Sequence, residues 1–311
     1  MNITIPAPTP IPARRANTSQ TMKMAQAFTA LGHNVWLAVP QFPQAYREIT
    51  VGSFQPPAED DNDWEHLTEH YGIQNTFPIR YFSTIAAARH YDFSLKALYW
   101  AHQNGSDYIY TRLPQIAAIG STLNTATIFE AHDMPGGKMG PRLFRRYLKG
   151  RGAARLVVIT QALADDLSQD YDLPAYKQLN EGLVIAPDGV DLERYQDIPE
   201  PAEARKILLE RQLIDDSIPE GRFTAGYTGH LYQGRGVNLI LEIAALLPGI
   251  TFLMIGGETE QILQLKSSVA SRGLKNVSVV GFIPNAQLPL YQAACEALMM
   301  PYQGHVAASS G

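Results

Sequence analysis

Residues 223–302, FTAGYTGHLYQGRGVNLILEIAALLPGITFLMIGGETEQILQLKSSVASRGLKNVSVVGFIPNAQLPLYQAACEALMMPY, hold three successive strand, glycine-turn and helix units. Short apolar runs (FTAGYT, TFLMI, NVSVV) pass into glycines, and the segments that follow carry apolar residues at helical spacing, as in NLILEIAALL. Strands that hand over to helices in this way build a parallel sheet, with helix N-termini opening onto spaces of phosphate size.

The same alternation runs through the N-terminal half. Asn2–Ala7 reads as a first strand, and a polar loop at Arg14, Arg15 and Asn17 leads to a helix over Ser19–Leu31. Asn17 or Thr18 suits its cap, Met22, Ala25, Phe28 and Leu31 its apolar face, and Gly32 its end. NVWLAVP, FPIRYFS, DYIYTR, ATIFEAH and RLVVIT are further strands, with helices over 91–102, 113–123 and 161–171. The stretch from Gln44 to Asn75 is polar and reads as an irregular surface crossing. GLVIAPDGVDLERY brings a last strand to a Pro-Asp-Gly turn, which continues into a helical segment over 202–213 and the polar connector DDSIPEGR. The expected organisation is a Rossmann-like domain over residues 1–183, an interdomain region over 184–220 and a second domain over 221–311.

Composition narrows the function classes. A net charge of -5 on 311 residues gives no global attraction for nucleic acid. Cys295 is the one cysteine, which excludes an internal disulfide and a thiolate metal cage. No secretory signal opens the chain, and no apolar run approaches the roughly 20 residues of a membrane span, so a cytoplasmic protein is expected. PRLFRRYLKGRGAAR, over Pro141–Arg155, mixes Arg142, Arg145, Arg146, Lys149, Arg151 and Arg155 with Leu143, Phe144, Tyr147 and Leu148. Peripheral contact with the anionic inner membrane or with a phosphate-bearing acceptor suits it, and a solvated surface helix accounts for the same residues.

In order and spacing these blocks resemble the retaining nucleotide-sugar glycosyltransferases of the GT4 family, which are built on the GT-B fold. The first strand and ALGHNVWLAVP resemble the family's opening β-α-β segment; RLVVITQALADDL and VIAPDGVDLERY its later N-domain blocks; and GYTGHLYQGRGVNLI, FLMIGG and VVGFIPNAQLPLYQAACEALMMPY its donor-nucleotide domain. The resemblance implies an α/β chain of two Rossmann-like domains facing a cleft. A nucleotide-diphosphate sugar would bind the second domain, and a glycan, lipid or small-molecule hydroxyl acceptor the first. It implies no cofactor beyond the donor substrate and no metal; positive side chains and helix dipoles would stabilise the leaving group.

Residue by residue, Arg235 stands at the family's basic position for the diphosphate, where a permanently charged planar fork suits phosphate oxygens. His230 replaces an arginine found in many relatives. Gly229, Gly234, Gly236, Gly256 and Gly257 would let backbone approach the diphosphate, Glu258 would read a donor hydroxyl or favour its helix start, and Phe282, Ile283 and Pro284 would pack on the nucleobase. His132 matches the histidine that contacts the transferred sugar and supports its oxocarbenium ion, with Asp133 as its expected local partner. Arg14, Arg15, Asn17 and Thr18 suit acceptor or phosphate contacts.

In the family, the segment after a strand such as EALMMPY carries a Glu-x7-Glu signature. No two glutamates of this sequence have that spacing, and no later helices follow. The expectation is therefore a truncated chain with an incomplete second domain, its catalytic elements lost in part and its transfer activity in question. The alternative is a catalytically impaired nucleotide-sugar-binding or scaffolding protein, and a nucleotide-sugar epimerase is a third. A homodimer would cover the exposed sheet edge.

Overall fold

The computed structural model describes residues 1–43, 63–173, 183–214 and 221–302. They fall into two compact units, Met1–Gly189 and Val190–Gly311.

In the first unit, strands β1 (Asn2–Pro6), β2 (Asn34–Gln41), β3 (Ile79–Ser83), β4 (Tyr108–Thr111), β5 (Thr127–Ala131), β6 (Ala153–Val158) and β7 (Leu183–Ile185) form one sheet. Its order is β3-β2-β1-β4-β5-β6-β7, and every pairing is parallel. The helices are α1 (Ala16–Ala30), α2 (Trp64–Tyr71), α3 (Tyr91–Gln103), α4 (Pro114–Thr122), α5 (Gly140–Lys149) and α6 (Gln161–Tyr171). Parallel crossovers put helices on both faces, which is why β1 and β2 read as near-continuous apolar runs rather than alternating ones. One core gathers Ile3, Ile5, Met22, Leu37, Leu67 and Tyr71, and another Phe129, Phe144, Tyr147, Leu156 and Val158. Strand order reverses between β1 and β4, so the natural crevice of this sheet lies beyond their carboxyl ends.

Two local features depart from the sequence reading. The polar stretch contains α2, whose Leu67, His70 and Tyr71 are buried; Trp64, Leu67 and Tyr71 recur at helical spacing inside a run of charged and polar neighbours. The rest of that stretch, residues 44–62, lies outside the described residues. Helix α1 begins at Ala16 with Arg15 as N-cap and no side-chain cap, three residues before the expected start.

The second unit has strands β8 (Thr224–Thr228), β9 (Thr251–Ile255), β10 (Val277–Gly281) and β11 (Ala297–Leu298) in the parallel order β10-β9-β8-β11. Helices α7 (Pro201–Glu210), α8 (Val237–Leu246), α9 (Thr259–Ser271) and α10 (Leu288–Ala293) accompany it. Leu208 of α7 and Tyr291 of α10 pack in one core with Leu253 and Ile255, while Ile240 and Leu241 of α8 and Leu265 of α9 pack in another with Tyr227, Phe252 and Met254. The expected incomplete second domain is corrected by this arrangement: a four-stranded sheet carries a packed core on each face.

The stretch expected as an interdomain region is divided in use. β7 closes the first sheet against β6, and α7 packs in a core of the second unit; residues 215–220 of the polar connector lie outside the described residues. Arg205 of α7 is buried and ion-paired to Glu296 at 2.9 Å, and it also donates to the carbonyl of Ala294. Cys295 is buried beside Gly226, and burial pushes its thiol up to about 12.

On α5 the apolar residues Leu143, Phe144, Tyr147 and Leu148 are buried in the first unit. They are core side chains, not a membrane-inserting face, while Arg142, Arg145, Arg146 and Lys149 are exposed. Among the described residues no helix is long and apolar enough to cross a membrane.

Candidate functional site

The carboxyl ends of β1, β4 and β5 border a cavity of about 320 Å³, lined in part by Pro8, Asn17, Arg112, Glu130, His132 and Asp133. Its chemistry is concentrated in a hydrogen-bonded network. Glu130, on β5 and only 4% exposed, accepts from the Tyr110 hydroxyl and His132 Nε2, and from Gln20 Nε2 at 3.2 Å. Gln20 also donates to Asp188 and accepts from Arg112. Asp188 Oδ1 lies 4.0 Å from His132 Nε2. Parity puts Glu130 and His132 together, because positions two apart on an extended strand share a face.

Burial alone would raise the Glu130 carboxyl. The hydrogen bonds from His132 and Tyr110, with the charges of His132 and Arg112, outweigh it and hold the group below its ordinary value. The same burial, reinforced by the Glu130 charge, pushes the Tyr110 phenol up, so Tyr110 stays a donor. Arg112, half-buried, is pulled down by desolvation and supported by Glu130 and Asp188. Glu130, His132 and Asp188 bring three potential ligand atoms within 4.8 Å of one another, a metal-capable composition. Glu130 accepts from three donors there, and Arg112 donates to Gln20.

The acceptor-side residues named from sequence divide. Asn17 lines the cavity and its side chain accepts from Thr9 at 3.5 Å. Thr18 is buried and donates its hydroxyl to the carbonyls of Ala13 and Arg15, both at 2.8 Å, so it shapes the loop before α1. Tyr71 holds the same loop by accepting from the amide of Ala13 at 2.7 Å. Arg14 and Arg15 are exposed and line no part of this cavity. His132 has Glu130, not Asp133, as its hydrogen-bond partner.

In the second unit, strand order reverses between β8 and β11, and the sequence-named donor residues gather at the carboxyl ends of β8, β9 and β10. Two turns need glycine for close approach. A Cβ on Gly256 would sit 2.2 Å from the Gly229 carbonyl oxygen, and one on Gly236 would sit 2.0 Å from that of Pro301. Gly236 is also the N-cap of α8, so that helix's free amides follow directly. The Arg235 guanidinium lies over the rings of Tyr232 and Tyr302, donates to the Tyr232 hydroxyl, and keeps its buried Nε without a partner. The carbonyl of His230 accepts from Tyr227 at 2.6 Å. Gly257 has a positive φ and lies beside Leu231.

Glu258 is the N-cap of α9 and forms a capping box with Gln261, which occupies its carboxylate. Phe282 and Pro284 are half-buried, and Ile283 packs on the core around Leu208 and Tyr291. A second cavity, about 410 Å³, lies between α8 and α9 and is lined by neither Arg235 nor Glu258.

The sequence reading missed Glu130, Arg112, Gln20, Asp188 and Tyr110. One signal was available: Glu130 is a carboxylate inside the apolar run TIFEA, two positions before a histidine. The others converge from positions as far apart as Gln20 and Asp188, which no spacing reveals.

A family model described as Glycosyltransferase Family 4 matches residues 19–194. A curated 2-deoxystreptamine glucosyltransferase of Streptomyces kanamyceticus is 29% identical over 157 residues, which make up 49% of this chain and 37% of that protein. The chain thus matches little more than a third of the length of that relative. Among solved structures, Anabaena HepE in complex with UDP and glucose is similar with a TM-score of 0.61 and 16% identity, over 100% of this chain and 78% of that one. Sucrose-phosphate synthase from Thermosynechococcus elongatus is similar with a TM-score of 0.64 and 14% identity, over 100% and 78%. At these identities the likeness concerns the fold, which is of the GT-B type. It runs through both units, and so it overturns the truncated second domain and the loss of catalytic elements read from it. The family match takes in more than half of the residues, and the chain belongs to glycosyltransferase family 4.

Proposed function

We propose that this protein transfers a hexosyl group from a nucleotide-diphosphate sugar to a hydroxyl of a small polyhydroxylated acceptor, with retention of anomeric configuration. The observation that carries this reading is membership of glycosyltransferase family 4. The second unit takes the donor: Arg235 and the free amides at the start of α8 meet the diphosphate, where an anion gains from both charge and helix dipole. Phe282 and Pro284 pack beside the base. The Glu258 carboxylate is held in its capping box, so the amide end of α9, not that side chain, serves the donor. The first unit takes the acceptor in the cavity beside Asn17, Arg112 and Asp133, and His132 contacts the reacting sugar. The relative's name, a glucosyltransferase acting on an aminocyclitol, supports a small ring as acceptor and glucose as the first sugar to try. The exposed cations of α5 suit an electrostatic contact with an anionic surface, without insertion.

The test incubates the chain with UDP-glucose and other nucleotide sugars against a panel of cyclitol, glycan and lipid acceptors. Products are read by mass, and the anomeric coupling constant by NMR. A product with the donor's own anomeric configuration is expected. If the folded chain neither binds nor consumes any donor, the transferase reading fails.

A further inference from the structure

We propose that Tyr71 is a positioning residue for the sugar acceptor: its hydroxyl pins Ala13, and so sets the loop whose two flanks, Pro8 and Asn17, line the cavity at the carboxyl end of β1. The inference rests on the transferase reading above and gives a task to α2, an element outside the motifs that suggested that reading.

The loop between β1 and α1 is poor in groups that could hold it. Pro6, Pro8, Pro10 and Pro12 alternate with Ala7, Thr9, Ile11 and Ala13, so every second residue lacks an amide hydrogen. At the start of the loop the Ala7 amide donates to the Ala38 carbonyl of β2 at 2.8 Å. At its far end Ala13 is buried, and both of its backbone polar groups need partners there. The Tyr71 hydroxyl serves both: it accepts from the Ala13 amide at 2.7 Å and donates to the Ala13 carbonyl at 3.3 Å. That carbonyl has further partners in the Thr18 hydroxyl at 2.8 Å and His70 Nε2 at 3.3 Å. Among the described residues the Ala13 amide has the Tyr71 hydroxyl alone.

Tyr71 can fix the loop because it is itself fixed. Its ring is fully buried in the core with Ile5, Met22 and Leu67, and burial pushes its phenol up to about 12, so the hydroxyl keeps its proton. Thr18 is local to the loop and bonds to its carbonyls; the tie from outside comes from α2. The consequence falls on the cavity. Thr9 donates to Asn17 Oδ1 at 3.5 Å, which leaves the Nδ2 hydrogens of Asn17 for a substrate hydroxyl. Release of the loop at Ala13 would let Pro8 and Asn17 shift, and a displacement of about 1 Å is enough to spoil the placement of a bound substrate. Tyr71 touches no substrate and acts through Ala13.

The first measurements need no substrate. In the unmodified chain, amide exchange followed by NMR should show Ala13 as a protected amide within the loop. Exchange of Ala13 at the rate of an open loop overturns the proposal, whether or not any variant folds. Tyr71→Phe keeps the ring and removes the hydroxyl. Exchange over residues 7–17 should then speed up about 10-fold, with β1 and α2 within about twofold of the unmodified chain. Equal acceleration in all three segments means lost core packing, and no acceleration means no tie; either result overturns the proposal. In transfer from UDP-glucose to 2-deoxystreptamine, Tyr71→Phe should raise the KM of the hydroxyl substrate about 10-fold and leave the donor KM within about twofold. A fall in kcat with both KM values kept reports fewer folded molecules and also overturns it. If the unmodified chain forms no transfer product, the transferase reading is what fails, and the exchange measurements still decide whether Tyr71 sets the loop.

Discussion

The guanidinium carbon of Arg235 lies 4.4 Å from the centroid of the Tyr302 ring. Tyr232 faces the same guanidinium at 4.8 Å and accepts one of its hydrogen bonds. A cation held between two rings has already given up most of its rotamer freedom, so a phosphate that binds it meets less entropic cost. The partnerless, buried Nε shows that the protein alone does not satisfy this group.

Arg235→Ala should therefore weaken UDP binding by about 1.5 to 3 kcal/mol, the range for a hydrogen bond to a charged group. His230→Ala should cost less, since an imidazole lacks arginine's permanent charge and alanine keeps the carbonyl that accepts from Tyr227. Calorimetric titration of both variants makes the comparison. Unchanged affinity after loss of Arg235 removes it from the donor site.

Gly236→Ala should destabilise the chain by about 1 to 3 kcal/mol, because φ is 75° there and the new Cβ would meet the Pro301 carbonyl oxygen at 2.0 Å. Gly249→Ala has open space around its Cβ and should stay within about 0.5 kcal/mol. Urea unfolding of the two variants measures the contrast, and equal midpoints would contradict the close approach of these turns.

Acid should destabilise the first unit through Glu130. Its folded pKa is depressed below 4.5, so the unfolded chain binds more protons between the two values. The stability from this group is complete above 4.5 and is lost as pH falls through the folded value. Glu296, depressed by the Thr224 amide and Arg205 against burial, adds a contribution of the same sign. Urea midpoints followed from neutral pH into the acid range should fall more steeply for the unmodified chain than for Glu130→Gln, whose amide does not titrate. Parallel curves would mean that Glu130 is not ionised in the folded state.

Arg205→Ala should cost about 1 to 3 kcal/mol, since it leaves Glu296 without its cation and the Ala294 carbonyl without its donor. Arg205→Met keeps the buried stem and should lose less. Thermal unfolding ranks the two, and a more stable alanine variant would argue that the pair does not repay its own desolvation.

How far the sequence could be read depended on the range of the interactions. Strands such as TFLMI and RLVV are apolar on both faces, because helices cover both sides of a parallel sheet; composition alone exposes them. α2 was hidden because its polar neighbours outnumber Trp64, Leu67 and Tyr71, although those three share one face. Glu258 was ambiguous in sequence for a physical reason: a carboxylate at a helix start serves a cap and a ligand with the same lone pairs. The Glu130 network needed four segments brought to one point, and its Glu-x-His pair is the local signal. The inference that the second domain was incomplete drew on a missing motif, and a motif says nothing about whether the preceding strands pack.

Burial of Cys295, with its thiol raised to about 12, leaves the native chain with its one cysteine unreactive toward thiol reagents. The protein is therefore a ready background for spectroscopic labels. A cysteine introduced at exposed Leu123 in the first unit and another at exposed Leu246 in the second would each take a probe, with no parent thiol to remove. Fluorescence or electron-spin distances between the two labels would then test whether donor or acceptor changes the separation of the labelled positions.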